Sequence, residues 1–206
     1  MNWRRWLGWG GYAAGAVLIA FGIAVIALAL NGRSTVHSSL KDEKITGTPD
    51  MTPAAIKEEA AQAGLKDISL PSCSVAGQVI NNGDRARCFA SYMRIHALEA
   101  SGGLVYAEMP RFATDDGKGT NDAAKASKGP SGRPLDNPAR QVWITETALS
   151  TALNVSYMAD QLALFSLVVG IALLLTGVGF IILAAGGALR RTTAAAAPRP
   201  EVAPAS

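Results

Sequence analysis

Two apolar runs without a single charge constrain this chain more than any other feature. The first extends from Trp9 to Leu30 and the second from Leu162 to Leu189. A bilayer core of about 30 Å is crossed by about 20 helical residues, and both runs exceed that length. A helix on the surface of a soluble core keeps a polar face. Uncharged stretches of this length therefore predict two transmembrane helices, at 9–30 and 162–189. The composition agrees. Of 206 residues, 49% are hydrophobic and 17% charged, which excludes a disordered chain. Two cysteines are too few for a disulfide-dense scaffold.

Basic residues mark the cytoplasmic flank of a span. Arg4 and Arg5 precede the first run, and Arg190 and Arg191 follow the second. The pattern predicts a two-pass plasma-membrane protein with cytoplasmic ends, 1–8 and 190–206, and an extracytoplasmic segment, 31–161. Trp3, Trp6, Trp9 and Tyr12 sit where interfacial aromatic anchors belong. The outer segment holds 14 Lys and Arg against 15 Asp and Glu, so the net charge of +3 resides in the tails. No nucleic-acid partner is expected. A competing reading of the first run is a cleaved signal peptide, because Ala27-Leu28-Ala29 has the form that signal peptidase accepts. The run is longer than an ordinary signal core, which favours the span. The Ala- and Pro-rich tail from Thr192 to Ser206 reads as disordered.

Neither span contains an ionisable residue. Proton relays, ion paths and voltage sensors need one, so a transporter or channel role is not expected. Small residues mark the packing faces. Gly11 and Gly15 form one step, and Ser166, Gly170, Gly177 and Ala184 line a seam on the second span. Small side chains let helix backbones approach closely. Two outcomes stay open: the spans pack on each other, or a membrane-protein partner or second copy packs on them. The lipid bilayer is a partner in either case.

The outer segment begins with a polar stretch, 31–50, that reads as a linker. A helix follows. Thr52 is its N-cap, Pro53 fits its first position, Met51 and Ile56 flank the cap as a hydrophobic staple, and Gly64 ends it. Residues 65–83 read as extended, with a turn at Asn81-Asn82-Gly83. A second helix runs from about Asp84 to Ser101, with Cys88, Tyr92, Ile95 and Glu99 on one face and Phe89 and His96 beside it. Cys73 and Cys88 lie on the oxidising side, and no CxxC, CxxCH or four-ligand zinc spacing competes for them. They are expected to form a disulfide, worth roughly 3 kcal/mol for a loop of about 15 residues. Residues 113–137 are rich in Gly, Lys, Asp, Ser and Pro and read as a flexible loop. Asp115, Asp116 and Asp122 within it lack the EF-hand spacing. Asn137 and Pro138 then start a helix that continues through the second span to about Leu183. Val142, Leu149, Ala152 and Leu153 give it an apolar side. Thr147, Ser150, Thr151 and Asn154 give it an uncharged polar side.

Chemistry-bearing residues are sparse. His37 falls in the linker and His96 on the second helix, so a two-His, one-carboxylate iron site is not expected. No nucleophile elbow, zinc-protease, P-loop or dinucleotide motif is present. No metal or cofactor is expected. Arg87 and Arg94 share a face with Ser91, which suits either an anionic lipid or polymer, or water. Together with His96 they are the candidate ligand or anion contacts.

Three segments resemble a family of small actinobacterial two-span membrane proteins. They are Lys41-Asp42-Glu43-Lys44-Ile45-Thr46-Gly47-Thr48-Pro49-Asp50-Met51-Thr52-Pro53, Asn82-Gly83-Asp84-Arg85-Ala86-Arg87-Cys88 and Tyr92-Met93-Arg94-Ile95-His96. The stretch from Thr145 to Val169 is similar again, and the resemblance covers about 41–185. Members of that family often carry the name of aromatic ring-opening dioxygenases of the LigA type. No metal site for such chemistry is visible in the residues, so the resemblance implies the architecture and adds no activity.

The expectation is a mainly α membrane protein, in which two transmembrane helices flank a mostly helical extracytoplasmic domain. Its expected role is a non-enzymatic interaction or accessory module of the cell envelope. The alternative is an extracytoplasmic ligand sensor or enzyme that uses His96 with nearby carboxylates.

Overall fold

The computed structural model describes residues 3–186, with side chains from residue 9 onward. The side chains of Trp3, Arg4, Arg5 and Trp6 lie outside that range, as do Arg190, Arg191 and the tail. The described chain is mainly helical: α1 (Trp3–Asp42), α2 (Pro53–Gln62), α3 (Gly83–Ala100) and α4 (Pro138–Ala185). Among the described residues, β pairing is limited to isolated bridges. Two helices, α1 and α4, are long and apolar enough to cross a membrane. The chain divides into two compact units. One holds the described residues up to Leu30 and from Phe165 onward to 186; the other is Asn31–Leu164.

In the first unit, small residues of α1 and α4 meet. A Cβ on Gly15 would stand 2.8 Å from the Gly177 carbonyl oxygen, and one on Gly22 would stand 2.8 Å from that of Gly170. The pairs run in opposite directions along the two helices, which are therefore antiparallel. A spacing of seven residues keeps a seam on one side of a helix. Gly11, Gly15, Gly22 and Ala29 of α1 are buried, as are Gly170, Gly177 and Ala184 of α4; Ser166 is half-buried. The seam is thus occupied within the chain. Gly22 and Ala29 extend the expected set, and their spacing from Gly15 is the signal that exposes them. Large apolar side chains point away from the seam: Phe21, Leu28, Phe165 and Leu175 are all more than 60% exposed.

The second unit departs from the expected linker. α1 continues to Asp42, so residues 31–42 are helical. No proline interrupts them. The Thr35 and Ser38 hydroxyls donate to the carbonyls of Asn31 and Thr35, and Val36 and Leu40 pack on the core. The chain then turns at Lys44, whose φ is 54°. It crosses the segment before α3 through the bridges Thr46–Val79 and Gly47–Ala76. Only glycine fits at position 47, where a Cβ would lie 2.0 Å from the Val75 carbonyl oxygen.

The Thr52 cap forms as read, and Asn82, read as a turn residue, caps α3. The Thr52 hydroxyl accepts from the Ala55 amide at 3.2 Å, and Met51 and Ile56 are buried beside it. α3 starts at Gly83, capped by Asn82, whose side chain accepts from the Arg85 amide at 2.9 Å. Its inward face carries Ala86, Cys88, Phe89, Tyr92 and Ile95. Glu99 is exposed instead, beyond the end of that face. Cys73 and Cys88 are bonded. The fully buried Tyr92 adds a second tie, its hydroxyl donating to the Cys73 carbonyl at 2.6 Å.

The segment 113–137, read as a flexible loop, is strapped by backbone hydrogen bonds. Phe112 and Thr120 exchange both amide bonds, Ala113 donates to Leu135, and Ser127 donates to Ala113. Asp116 and Asp122 accept from the backbone amides of Lys118 and Ala124, capping their own turns. Asn137 caps α4 as expected, accepting from the Ala139 amide at 3.0 Å.

If the glycine contacts hold α1 against α4, Gly170→Leu should lower the unfolding temperature of the detergent-solubilised chain. Its side chain would have to enter space held by the Gly22 carbonyl and Ile26. Gly179→Leu, where no atom lies within 4 Å of the added Cβ, should leave that temperature nearly unchanged.

Candidate functional site

One polar cluster of the second unit forms around His96. Asp50 precedes α2, next to the buried Met51. Glu59 is on α2, next to the buried Ala60. His96 is on α3, between the buried Ile95 and Ala97. Each polar side chain thus springs from backbone that a buried neighbour fixes. His96 Nε2 lies 3.1 Å from Asp50 Oδ2 and 3.5 Å from Glu59 Oε2. All three offer a ligand atom within 4.8 Å of the others. Each side chain is about a third exposed, so water reaches the cluster. The Thr48 hydroxyl holds the Asp50 carboxyl below its ordinary value; partial burial works the other way, and the neighbouring His96 adds to the lowering. On another side, His96 borders a mainly apolar groove of about 420 Å³, shared with Met93, Ala97, Val142 and Thr145. Asp50 and Glu59 were not singled out in the sequence. They come from a loop and a separate helix, and no periodicity links them to His96.

Arg87 and Arg94 engage aromatic rings of α4. The Arg94 guanidinium stacks 4.0 Å from the centre of the Trp143 ring and pairs with Glu146 at 3.3 Å. Arg87 stacks 4.6 Å from the centre of the Tyr157 ring. Both arginines therefore lie over α4 while remaining exposed. The inward side of α4 is the expected one in part, since Leu153 is buried and Leu149 packs on the core. Trp143, Glu146, Leu153 and Asp160 are buried, whereas Val142 and Ala152 are exposed. Charged residues are buried when they are paired, and an apolar pattern alone passes over such positions. The polar side of α4 behaves as read: Thr147, Thr151 and Asn154 are exposed.

A second cluster centres on Asp160, 4% exposed. Its Oδ2 accepts from the Gly83 amide at 3.2 Å. Its Oδ1 lies 3.1 Å from Arg33 Nε and 3.4 Å from His37 Nε2. His37, expected in a linker, is therefore a helical residue facing a buried carboxylate. The two histidines attend different carboxylates. The arrangement at Asp160 is a structural tie, whereas the one at His96 is an open cluster of metal-binding types.

Comparison with protein-family models, curated proteins and solved structures returns no match.

Two outcomes follow. Asp160→Ala leaves the buried Gly83 amide without its acceptor and should cost about 1–3 kcal/mol. The loss of the half-exposed Arg33 pair adds little to that. Chemical denaturation of the full chain measures it. Asp50 has a depressed folded pKa, so its contribution to stability is complete above the ordinary value of 3.8 and fades as pH falls through the folded one. Thr48→Val should narrow that window, so that acid unfolding begins at higher pH in a pH series of unfolding temperatures.

Proposed function

We propose that this chain is a non-enzymatic interaction or accessory module of the bacterial cell envelope, anchored by two membrane spans. One observation carries the anchoring. The first unit is built inside out, with glycine and alanine along its seam and Phe21, Leu28, Phe165 and Leu175 exposed around it. In water such a surface is unfavourable, whereas lipid solvates it. The basic pairs Arg4-Arg5 and Arg190-Arg191 support cytoplasmic ends. The Cys73–Cys88 bond supports an extracytoplasmic position for 31–161, because disulfides persist in oxidising compartments. The seam glycines are engaged within the chain, so a partner would be met elsewhere: on the lipid-facing sides of the spans or on the outer domain.

A second reading, an extracytoplasmic ligand sensor or enzyme, is favoured by one feature, the meeting of His96 with Asp50 and Glu59.

The test is a mild-detergent pull-down of the chain at native level through a tag on its C-terminal tail. The expected result is one membrane protein recovered in stoichiometric amount. A solitary monomer would overturn the accessory role and leave the second reading.

A further inference from the structure

The geometry points to a binding site for a first-row divalent transition-metal ion, of which Zn²⁺ is the natural probe, formed by Asp50, Glu59 and His96. The three ligand atoms already converge to within 4.8 Å. An ion bound at about 2.1 Å to tetrahedrally placed ligands holds them about 3.4 Å apart. The two contacts of His96 Nε2, 3.1 and 3.5 Å, lie close to that spacing. Only a small movement of the carboxylates is needed to complete the set.

Charge favours occupancy. Two carboxylates face a single imidazole, which carries at most one positive charge. Among the described residues, no Lys or Arg pairs with either carboxylate; His96 is the only basic side chain within ion-pair distance of Asp50 or Glu59. A divalent ion bound by two carboxylates and a neutral imidazole balances the site.

The donor set selects the metal class. An imidazole nitrogen with two carboxylate oxygens suits zinc and its first-row neighbours. Calcium prefers a cage of six to eight oxygens, and magnesium keeps an octahedral shell of oxygen and water. Because each side chain is about a third exposed, the remaining coordination positions open to solvent, which leaves room for water or an exogenous ligand. The cluster lies wholly within the second unit, and the inference is independent of any protein partner.

The experiment uses the full-length chain in detergent, without a polyhistidine tag and stripped of metal. Zn²⁺ is titrated calorimetrically, with Mg²⁺ and Ca²⁺ as comparisons. One equivalent of Zn²⁺ should bind, and neither Mg²⁺ nor Ca²⁺ should compete at equal concentration. Glu59→Gln, which preserves shape, and His96→Ala should each weaken binding by at least about tenfold. His37→Ala, at the other histidine, should leave it unchanged. No uptake of Zn²⁺ by the native chain would overturn the site. So would uptake that Glu59→Gln and His96→Ala leave intact, or that His37→Ala abolishes.

Discussion

Asp160 is the only charged residue of α4 between Glu146 and the end of the described helix, and it is buried. Moving a carboxylate out of water costs several kcal/mol unless partners replace the lost hydration. Here the partners come from two other helices. Arg33 and His37, four residues apart and so on one face of α1, approach one oxygen; the first amide of α3 donates to the other. A carboxylate so placed adds little net stability over an apolar replacement, but it is strict about register. Sliding α1, α3 or α4 by one residue would leave it unpaired. Gly83 makes the approach feasible, since a Cβ there would lie 2.8 Å from Asp160 Cβ and 2.9 Å from Tyr157 Cα.

The first unit sets its register by the opposite means. Its seam has no polar tie, and the backbones of α1 and α4 meet at glycine. In the hydrocarbon that the proposed spans would cross, helices gain no hydrophobic advantage from each other, so close packing and small side chains would carry association. The same two helices therefore obey different rules along their length, contact geometry in one unit and a buried charge in the other. That change follows the composition, from uncharged apolar runs to the mixed polar and charged sequence of 31–161.

Local chemistry made part of this legible in advance. Thr52 with Pro53, Met51 with Ile56, the glycine stop at Gly64 and the Asn137-Pro138 start are short-range signals, and short-range physics realises them. The Cys73–Cys88 bond was legible because the chain offers no other pairing. The helical 31–42 segment was not legible. Its polar residues resemble a linker, and Leu40 and Val36 acquire their role only against α3 and the Ile45–Ile80 strip. Glu146, Asp160 and the stacked Arg87 and Arg94 were hidden for a related reason. Each is a charge that pattern assigns to water; Glu146 and Asp160 are kept inside, and the two exposed arginines are laid over α4, by partners distant in sequence. Long-range pairing leaves no trace in periodicity.

The same limit explains why His96 was recognisable and its companions were not, and it bears on how α2 is held. With 10 residues, α2 is too short to persist alone in water. Its cap, the burial of Ile56 and Ala60, and its packing on α3 fix one side. The Cys73–Cys88 bond restrains the chain that leads from it to α3. The carboxylates of Asp50 and Glu59 bracket the helix on the side where His96 stands. Of these restraints, only that cluster has unbalanced charge, so only there does the strength of the contact depend on what else is bound. An ion held there as proposed would tie Glu59 of α2 to His96 of α3. The position of a helix that cannot stand alone would thereby be coupled to the occupancy of a solvent-open cluster.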